Sequence, residues 1–268
     1  MLPLQPMSSE KSQLSRKLFL LKEMVVRDLR SRYAGSGLGI LWAFASPVLW
    51  MILYTLVFSV ILRVPSPQGF AGFPEFLLAG LLPWMAVQEG ISRSATALTD
   101  NAAMVKKTVF PIETLMLSIV LAAAVNQLIA FAVFGVYLAV IGHLALPWAL
   151  LAIPALAVQM TLTFGLGCLV ATVATFVRDV VPLVGIALTV VFYATPVVYP
   201  SEMVPARLRF LVDANPLAHL TAWYRDAFTL HRLPDAGSVL FTTLFAAAAM
   251  AAGTMLFRRA RPHFADLL

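Results

Sequence analysis

Long uninterrupted apolar stretches are the feature that most constrains how this chain can fold. Residues 38–62 and 115–141 contain no charged side chain. About 20 apolar residues in a helix cover the roughly 30 Å hydrocarbon core of a bilayer, because each residue rises about 1.5 Å. Since a water-soluble domain cannot bury so much continuous apolar helix, the sequence predicts an all-α protein that crosses a membrane several times.

Six apolar stretches define a predicted membrane domain over residues 38–257. They lie at 38–62, 76–92, 115–141, 147–176, 180–199 and 236–257. The second and fifth are short and are interrupted by Pro83 and Pro196. A proline predicts a kink, or a break whose freed carbonyls face protein or water. The segments outside this domain, 1–37 and 258–268, leave no room for a soluble catalytic domain.

The positions of lysine and arginine predict the orientation in the membrane. Hydrophobic residues make up 60% of the chain and charged residues 12%, and the net charge is +6. In such a protein an excess of basic over acidic residues reflects the membrane topology rather than nucleic-acid binding. Fourteen basic residues fall in the terminal segments and in alternate loops, against five in the other loops. Basic loops stay on the inner side, so both termini are predicted to be cytoplasmic.

The segment 14–33 before the first span has the pattern of an amphipathic helix. Leu18, Leu21, Val25 and Leu29 recur at three- and four-residue spacing, and basic residues fill much of the rest. Such a helix lies along a membrane surface with its basic groups toward anionic head groups. Two interpretations remain open: an anchor that sets topology, or a surface that also contacts a cytoplasmic partner.

Aromatic residues recur every four positions in the first span. The row is Trp42, Trp50, Tyr54 and Phe58, with Ser46 in the second place, and the fifth span adds Phe192, Tyr193 and Tyr199. Residues four apart share a helix face. Packing and the aromatic belts of membrane interfaces explain part of the pattern. Because aromatic faces stack on sugar rings, the alternative is a track for a carbohydrate.

Two connecting segments have mixed polar and apolar character. Residues 92–113 are predicted to be cytoplasmic, either as a solvated loop or as a short helix that docks into another protein. Residues 200–235 mix apolar residues, charges and prolines, which favours one or two short interfacial or re-entrant helices. Asn215-Pro216 predicts a turn between them.

Signatures of catalysis are missing from the sequence. It has no phosphate-binding Gly-x-x-x-x-Gly-Lys-Ser/Thr loop, no His-Glu-x-x-His zinc pair and no Asp-rich pair for magnesium-pyrophosphate. No metal site is predicted, and any ATP-driven work must fall to another subunit. Glu89, late in the second span, is the one carboxylate at membrane depth that draws attention.

Several short motifs follow one another along almost the whole chain. They are Arg27-Asp28-Leu29-Arg30-Ser31-Arg32-Tyr33 continuing into Gly35-Ser36-Gly37-Leu38-Gly39-Ile40-Leu41-Trp42 with Pro47, then Gly80-Leu81-Leu82-Pro83-Trp84, then Asn101 with Lys106-Lys107 and Phe110-Pro111, then Arg178-Asp179-Val180, and finally Asn215-Pro216 with Tyr224-Arg225. Each is weak alone. In this order they resemble the permease subunits of bacterial ABC transporters that export polysaccharides.

The resemblance implies a mechanism and a set of site residues. It implies a homodimer in the bacterial inner membrane, two copies of a cytoplasmic ATPase that bind ATP and magnesium, no cofactor on this chain, and a lipid-linked polysaccharide, such as capsule or O-antigen, that passes between the subunits. Envelope export proteins are further candidate partners. The implied channel lining is Trp42, Trp50, Tyr54, Phe58, Phe192, Tyr193 and Tyr199. The implied ATPase-coupling residues are Asn101, Lys106, Lys107 and Phe110, the interface-helix residues are Arg27, Arg30 and Arg32, and the outer-mouth residues are Arg207, Arg209, Asn215 and Arg225.

Two other classes remain open at this point. One is an ABC exporter of lipids or drugs built on the same fold. The other is an intramembrane enzyme of lipid-linked sugar metabolism, which would need a cluster of acidic or histidine residues at one membrane face. A secondary transporter is less favoured, because charges at membrane depth other than Glu89 are lacking.

Overall fold

The computed structural model describes residues 9–33, 37, 39–106 and 111–268, and in these residues it is helical without β-strands. The helices are α1 (Ser9–Tyr33), α2 (Trp42–Thr55), α3 (Phe73–Asp100), α4 (Ala102–Val105), α5 (Ile112–Val140), α6 (Leu146–Ala149), α7 (Ala152–Phe176), α8 (Val180–Ala194), α9 (Arg209–Asp213), α10 (Pro216–Arg225) and α11 (Ala236–Leu267).

Four helical stretches in the described part of the chain are long and apolar enough to cross a membrane. They are Trp42–Ile61, Ile112–Val140, Leu146–Phe176 and Ala236–Leu267. In the first, α2 passes into a π-helical turn, and in the third, α6 leads into α7. Helix α8 is apolar but has 15 residues. The predicted all-α polytopic membrane fold is confirmed, while the count of six spans stays a prediction.

Helix α3 differs from its predicted span and lies at the centre of the bundle. The prediction placed it at residues 76–92, but it runs through Pro83 without a break to Asp100. It packs against α5, α7, α8 and α10. This packing buries the polar side chains of Glu75 and Ser94, and it holds the helix together where proline removes one backbone hydrogen bond. Its 28 residues extend about 42 Å.

Helices α7 and α11 approach closely through glycine. A Cβ atom at Gly253 would collide with the backbone carbonyl of Gly165, and one at Gly165 would collide with the backbone around Met250. Small residues let membrane helices bring their backbones together, where van der Waals contact stabilises the pair. The crossing therefore depends on the absence of side chains at these two positions.

One end of the bundle, here called the terminal end, gathers α1, α4, the start of α5 and the end of α11. Met24, Val105, Ile112, Phe257 and Phe264 form one buried apolar cluster there. Helix α11 continues without interruption through residues 258–267 into this cluster. A movement of α1 or α4 would therefore displace two long helices that pack in the same cluster, α5 and α11.

The opposite end, here called the loop end, contains residues 62–72 and 195–235. The predicted short helices after the fifth span are confirmed as α9 and α10. Asn215 caps α10, since its Oδ1 accepts a hydrogen bond from the backbone N–H of Leu217 at 3.0 Å, and Pro216 occupies the first helical position, where proline is favoured. The Asn215 amide also donates to Thr195 Oγ1 at 2.8 Å, which ties α10 to the loop after α8.

Candidate functional site

A groove of about 620 Å³ runs between α2 and α8 over the surface of α3. Its lining includes four of the predicted aromatic residues, Trp50 and Tyr54 from α2 and Phe192 and Tyr193 from α8. Residues from two helices far apart in sequence thus face one cavity. Trp50 is 41% exposed and Tyr193 is 64% exposed, so both rings offer free surface to a ligand.

The aromatic rings of the groove are arranged as two contacting sets. Trp50 stacks on Tyr54 with ring centroids 5.6 Å apart. On the other side Phe192 lies 5.3 Å from Tyr193 and 5.4 Å from Trp84. Such separations are typical of favourable aromatic pairs. The contacts hold the rings in place, which lowers the conformational cost of placing a ligand against them.

Trp84 is a lining residue that the sequence prediction did not assign to the groove. It lies in α3, and its Nε1 donates a hydrogen bond to Gln88 Oε1 at 3.0 Å. Both residues line the groove. The signal in the sequence that could have identified this pair was its four-residue spacing. That spacing puts two side chains with polar ends on one helix face within a span.

The other predicted aromatic residues lie outside the groove lining. Phe58 extends the α2 row toward the loop end, where its ring centroid is 5.4 Å from that of Phe73. Tyr199 follows α8, and its hydroxyl donates to the Tyr193 carbonyl. Trp42 is half-buried at the start of α2 and does not contribute to the lining. The structure therefore brings together four of the seven proposed channel residues.

The floor of the groove carries a carboxylate. Glu89 lines the groove and also a neighbouring cavity of about 180 Å³. The lining of that cavity includes Ser46, Asn126 and Gln127. The Glu89 side chain is 27% exposed and lies 3.8 Å from Arg93, one helical turn away. Arg93 in turn pairs with Asp28 of α1 through two hydrogen bonds. A charged chain thus leads from the groove to the N-terminal helix.

The N-terminal helix also contacts the short helix α4. Arg27 donates to Asn101 Oδ1 at 3.3 Å and approaches the Met104 sulfur. Arg30 is exposed, and the side chain of Arg32 lies outside the described residues. The predicted interface helix and the predicted coupling segment are therefore in direct contact.

The predicted coupling residues are described in part. Asn101 lies between α3 and α4, where its Nδ2 donates to the Ala97 carbonyl at 2.9 Å. Lys106 is exposed at the end of α4. Lys107 and Phe110 lie outside the described residues. The described part forms a short helix with one buried residue, Val105, packed into the terminal-end cluster.

Arg225 differs from the other proposed outer-mouth residues because it is 6% exposed. Its Nε donates to the Phe76 carbonyl at 3.0 Å and its Nη2 to the Val197 carbonyl at 2.9 Å. The guanidinium carbon stands 3.7 Å from the centroid of the Phe76 ring. These contacts join α10 to α3 and to the loop after α8. Arg207 and Arg209, by contrast, are exposed.

A second large cavity, of about 820 Å³, lies at the loop end. Phe70, Phe76 and Arg225 form part of its wall, together with Asp226, whose Oδ1 accepts a hydrogen bond from Arg232 Nε at 2.6 Å. Five basic residues were predicted to lie in the outer loops. Two of them, Arg225 and Arg232, thus make hydrogen bonds within the protein. Among residues 9–33, 37, 39–106 and 111–268, no three His, Cys, Asp or Glu side chains come close enough to hold a metal ion.

Comparison with known proteins identifies the family. The model of the "ABC-2 type transporter" family matches residues 20–229, which include α2 to α10. The chain belongs to the ABC-2 type transporter family. Proteins of this kind are transport permeases, and ATP hydrolysis belongs to a separate subunit.

Relatives of similar length align over almost the entire chain. It is 32% identical over 252 residues to the O-antigen export system permease protein RfbA of Klebsiella pneumoniae, covering 93% of this chain and 95% of that protein. It is 31% identical over 250 residues to the protein of the same name from Myxococcus xanthus, covering 92% and 94%. The polysialic acid transport protein KpsM of Escherichia coli is 25% identical over 244 residues, covering 88% and 91%.

Proposed function

We propose that this chain is the transmembrane subunit of an ATP-driven exporter that moves a lipid-linked polysaccharide, such as O-antigen or capsule, across the bacterial inner membrane. Family membership supports the transporter class. The names of the relatives, O-antigen export system permease and polysialic acid transport protein, support a polysaccharide cargo. The observation that carries the proposal is the groove, in which aromatic rings from α2 and α8 flank a polar floor on α3.

This chemistry suits a carbohydrate chain. A sugar ring presents apolar C–H groups on its faces and hydroxyl groups around its edge. Aromatic rings stack on the faces, while Gln88 and Glu89 accept or donate hydrogen bonds at the edge. Because successive sugars present similar faces, stacking tolerates changes of register. A long polymer can therefore slide past Trp50 and Tyr193 without a single tight binding site.

We further propose that two copies of the chain close the groove into a channel. Within one subunit, 6% of the most apolar part of the stretch Trp42–Ile61, which contains α2, is buried. Helix α8 likewise exposes Leu183, Ile186 and Val190 by more than half of their surface. The two helices that border the groove are thus free to face a second copy, whose own groove would lie opposite.

Coupling to the ATPase would occur at the terminal end. We place this end in the cytoplasm because most of the basic residues are predicted to lie there. The ATPase would contact α1 and α4, which are linked by Arg27 and Asn101. ATP binding would draw two ATPase subunits together and displace these helices. The terminal-end cluster would pass the movement to α5 and α11, and the Asp28–Arg93 pair would pass it to α3 and the groove.

Co-purification with the partner ATPase subunit tests the proposal. Changing Lys106 and Lys107 to Glu should weaken binding of the ATPase and its stimulated activity, because the charge at the docking surface is reversed. Changing Arg207 and Arg209 to Glu is the matched control, since it makes the same charge change at the loop end. Loss of ATPase binding in the control but not in the lysine variant would contradict the proposed coupling end.

A second experiment tests the groove. Replacing both Trp50 and Tyr193 with Ala removes the two most exposed rings of the lining, and it should abolish export of surface polysaccharide while the ATPase complex still assembles. Replacing Phe241 with Ala removes an aromatic ring that lies in α11, outside the groove lining, and serves as the control. Normal export by the groove variant would contradict the proposed path.

A further inference from the structure

The small cavity beside the groove, here called the side cavity, contains polar side chains that the proposed path does not use. It has a volume of about 180 Å³, and its wall is formed by α2, α3 and α5. Trp50, Met85 and Glu89 border both this cavity and the groove. A substituent of a sugar ring that lies against Trp50 can therefore reach the side cavity from the groove.

The amide of Asn126, on α5, has an unpaired oxygen in the wall of the side cavity. Its Oδ1 is buried and accepts no hydrogen bond from the described residues. Ser46, in the α2 part of the wall, likewise makes no side-chain hydrogen bond within the described part of the chain. Leaving a buried acceptor unpaired is unfavourable, because the group has lost its contacts with water. A donor brought by a ligand would restore the missing bond.

The other polar side chains of the wall have partners within the protein. Glu89 lies 3.8 Å from Arg93. The amides of Gln127 and Gln159 exchange two hydrogen bonds, of 3.0 and 2.6 Å, so Gln127 is held toward α7. Within the described lining, the asparagine and the serine are therefore the polar groups that make no hydrogen bond of their own.

Much of the remaining wall is apolar and consists of small side chains. Alanines from all three helices contribute to it, namely Ala43, Ala86, Ala123 and Ala130. Since a cavity of about 150 Å³ accepts a ring of six carbon atoms, the side cavity has space for a substituent of a few heavy atoms. A few polar groups on an apolar wall are the usual composition of a ligand site.

An acetamido substituent matches this arrangement of groups. It carries an N–H donor, a carbonyl acceptor and a methyl group. The N–H would donate to Asn126 Oδ1, the carbonyl would accept from the Ser46 hydroxyl, and the methyl would lie against the alanines. A sugar hydroxyl supplies a donor but leaves the apolar wall uncovered, and an ionised carboxylate supplies no donor for Asn126.

We propose that the side cavity is a subsite for the acetamido group of an N-acetylated sugar, so that the cargo of this transporter contains N-acetylhexosamine units. This inference rests on the proposed function, because it names a chemical feature of the polymer that the groove carries. It assigns Asn126 as a specificity-determining residue for each such unit that passes Trp50. One weak contact of this kind selects a sugar without holding the polymer in place.

A matched pair of glycolipids tests the inference. One is an alkyl-linked cellotetraose and the other an alkyl-linked chitotetraose, so the two share one backbone and differ in a hydroxyl or an acetamido group on each ring. Apparent dissociation constants are measured in nanodiscs from the intrinsic tryptophan fluorescence of the chain, alone and with its ATPase. The acetylated glycolipid should bind about tenfold more tightly, which is the size of one net hydrogen bond.

Three variants locate the preference within the protein. Asn126→Leu keeps the size of the side chain and removes the amide, so the ratio of the two constants should fall below about threefold. Ser46→Ala removes the second partner and should lower the ratio to about the same range. Ser59→Ala is the matched control, because Ser59 also has a buried hydroxyl without a partner among the described residues but lies outside both linings. It should keep the full preference.

Each outcome of this experiment supports or overturns the inference. Equal affinity for the two glycolipids, as expected of a cavity that holds water only, overturns it, and so does a preference that survives in Asn126→Leu. If Asn126→Leu does not fold, a preference that survives in Ser46→Ala overturns it and a loss there supports it. Absence of binding by either glycolipid, while ATP hydrolysis depends on the complex, overturns the inference and leaves the proposed function standing. A preference that is intact on a chain with which the ATPase does not associate supports the subsite and contradicts the proposed function.

Discussion

Replacing Arg225 with alanine should unfold the loop end of this protein at a lower temperature, because the arginine holds three segments together. Its two hydrogen bonds, of 3.0 and 2.9 Å, end on the carbonyls of Phe76 and Val197. Each bond from a charged donor contributes about 1.5–3 kcal/mol, and the stacking over Phe76 adds about 1 kcal/mol. The two bonds and the stack together amount to about 4–7 kcal/mol, and we expect a loss of that order, part of which is the cost of leaving two buried carbonyls unpaired.

The single cysteine reports whether this loss destabilises the whole bundle, because it lies in the apolar cluster of the terminal end, away from Arg225. Cys168 is buried in α7 at 1% exposure, so a fluorogenic maleimide labels it when the bundle opens. In detergent the melting temperature of Arg225→Ala should fall by roughly 10 °C or more, at about 2–4 °C per kcal/mol. Arg225→Lys should lie between the two, because an ammonium group can donate to a carbonyl but cannot form the planar fork or the stack.

The exposed Arg207 supplies the control for this prediction. Arg207→Ala should shift the melting temperature by less than about 2 °C, as is usual for surface substitutions. An Arg225→Ala variant that melts like the wild type but fails to export would refute the reasoning. It would mean that Arg225 acts on the cargo at the outer mouth rather than on the fold.

Three further predictions follow from other contacts. Gly253→Ala should cost about 1–3 kcal/mol by overpacking α7 against α11 and lower the Cys168-reported melting temperature, whereas Gly135→Ala, which faces open space, should not. Asp28→Arg should reduce ATP hydrolysis by the complex by breaking the pair with Arg93, and the double variant Asp28→Arg/Arg93→Asp should restore it if the pair transmits movement. The hydrogen bond from the Ser238 N–H at the start of α11 holds the pKa of Asp235 below its usual range. Its stabilisation is therefore present above about pH 3.9 and disappears as the pH falls through the lower folded-state pKa, so the melting difference between wild type and Asp235→Ala should vanish in acid.

The sequence by itself determined the all-α membrane fold and the turn before α10, whereas α3 extends beyond its predicted span. Apolar stretches longer than a bilayer is thick require helices, because backbone groups in lipid must pair within their own segment. Asn215-Pro216 predicted a turn between two short helices for a similarly local reason, and α10 begins there with Asn215 as its cap. These features depend on neighbours in sequence, and a pattern of residue types is enough to reveal them.

The tertiary structure alone decided which residues meet in the groove and which hold it in place. Asp28 and Arg93 are 65 positions apart, and no local pattern distinguishes their pairing from two separate surface charges. Arg225 looked like an exposed basic residue of an outer loop, and its burial depends on carbonyls of α3 and of the segment after α8. Such contacts arise when helices pack, because packing chooses one partner among many side chains of similar chemistry, and that choice is not written in the spacing of residues.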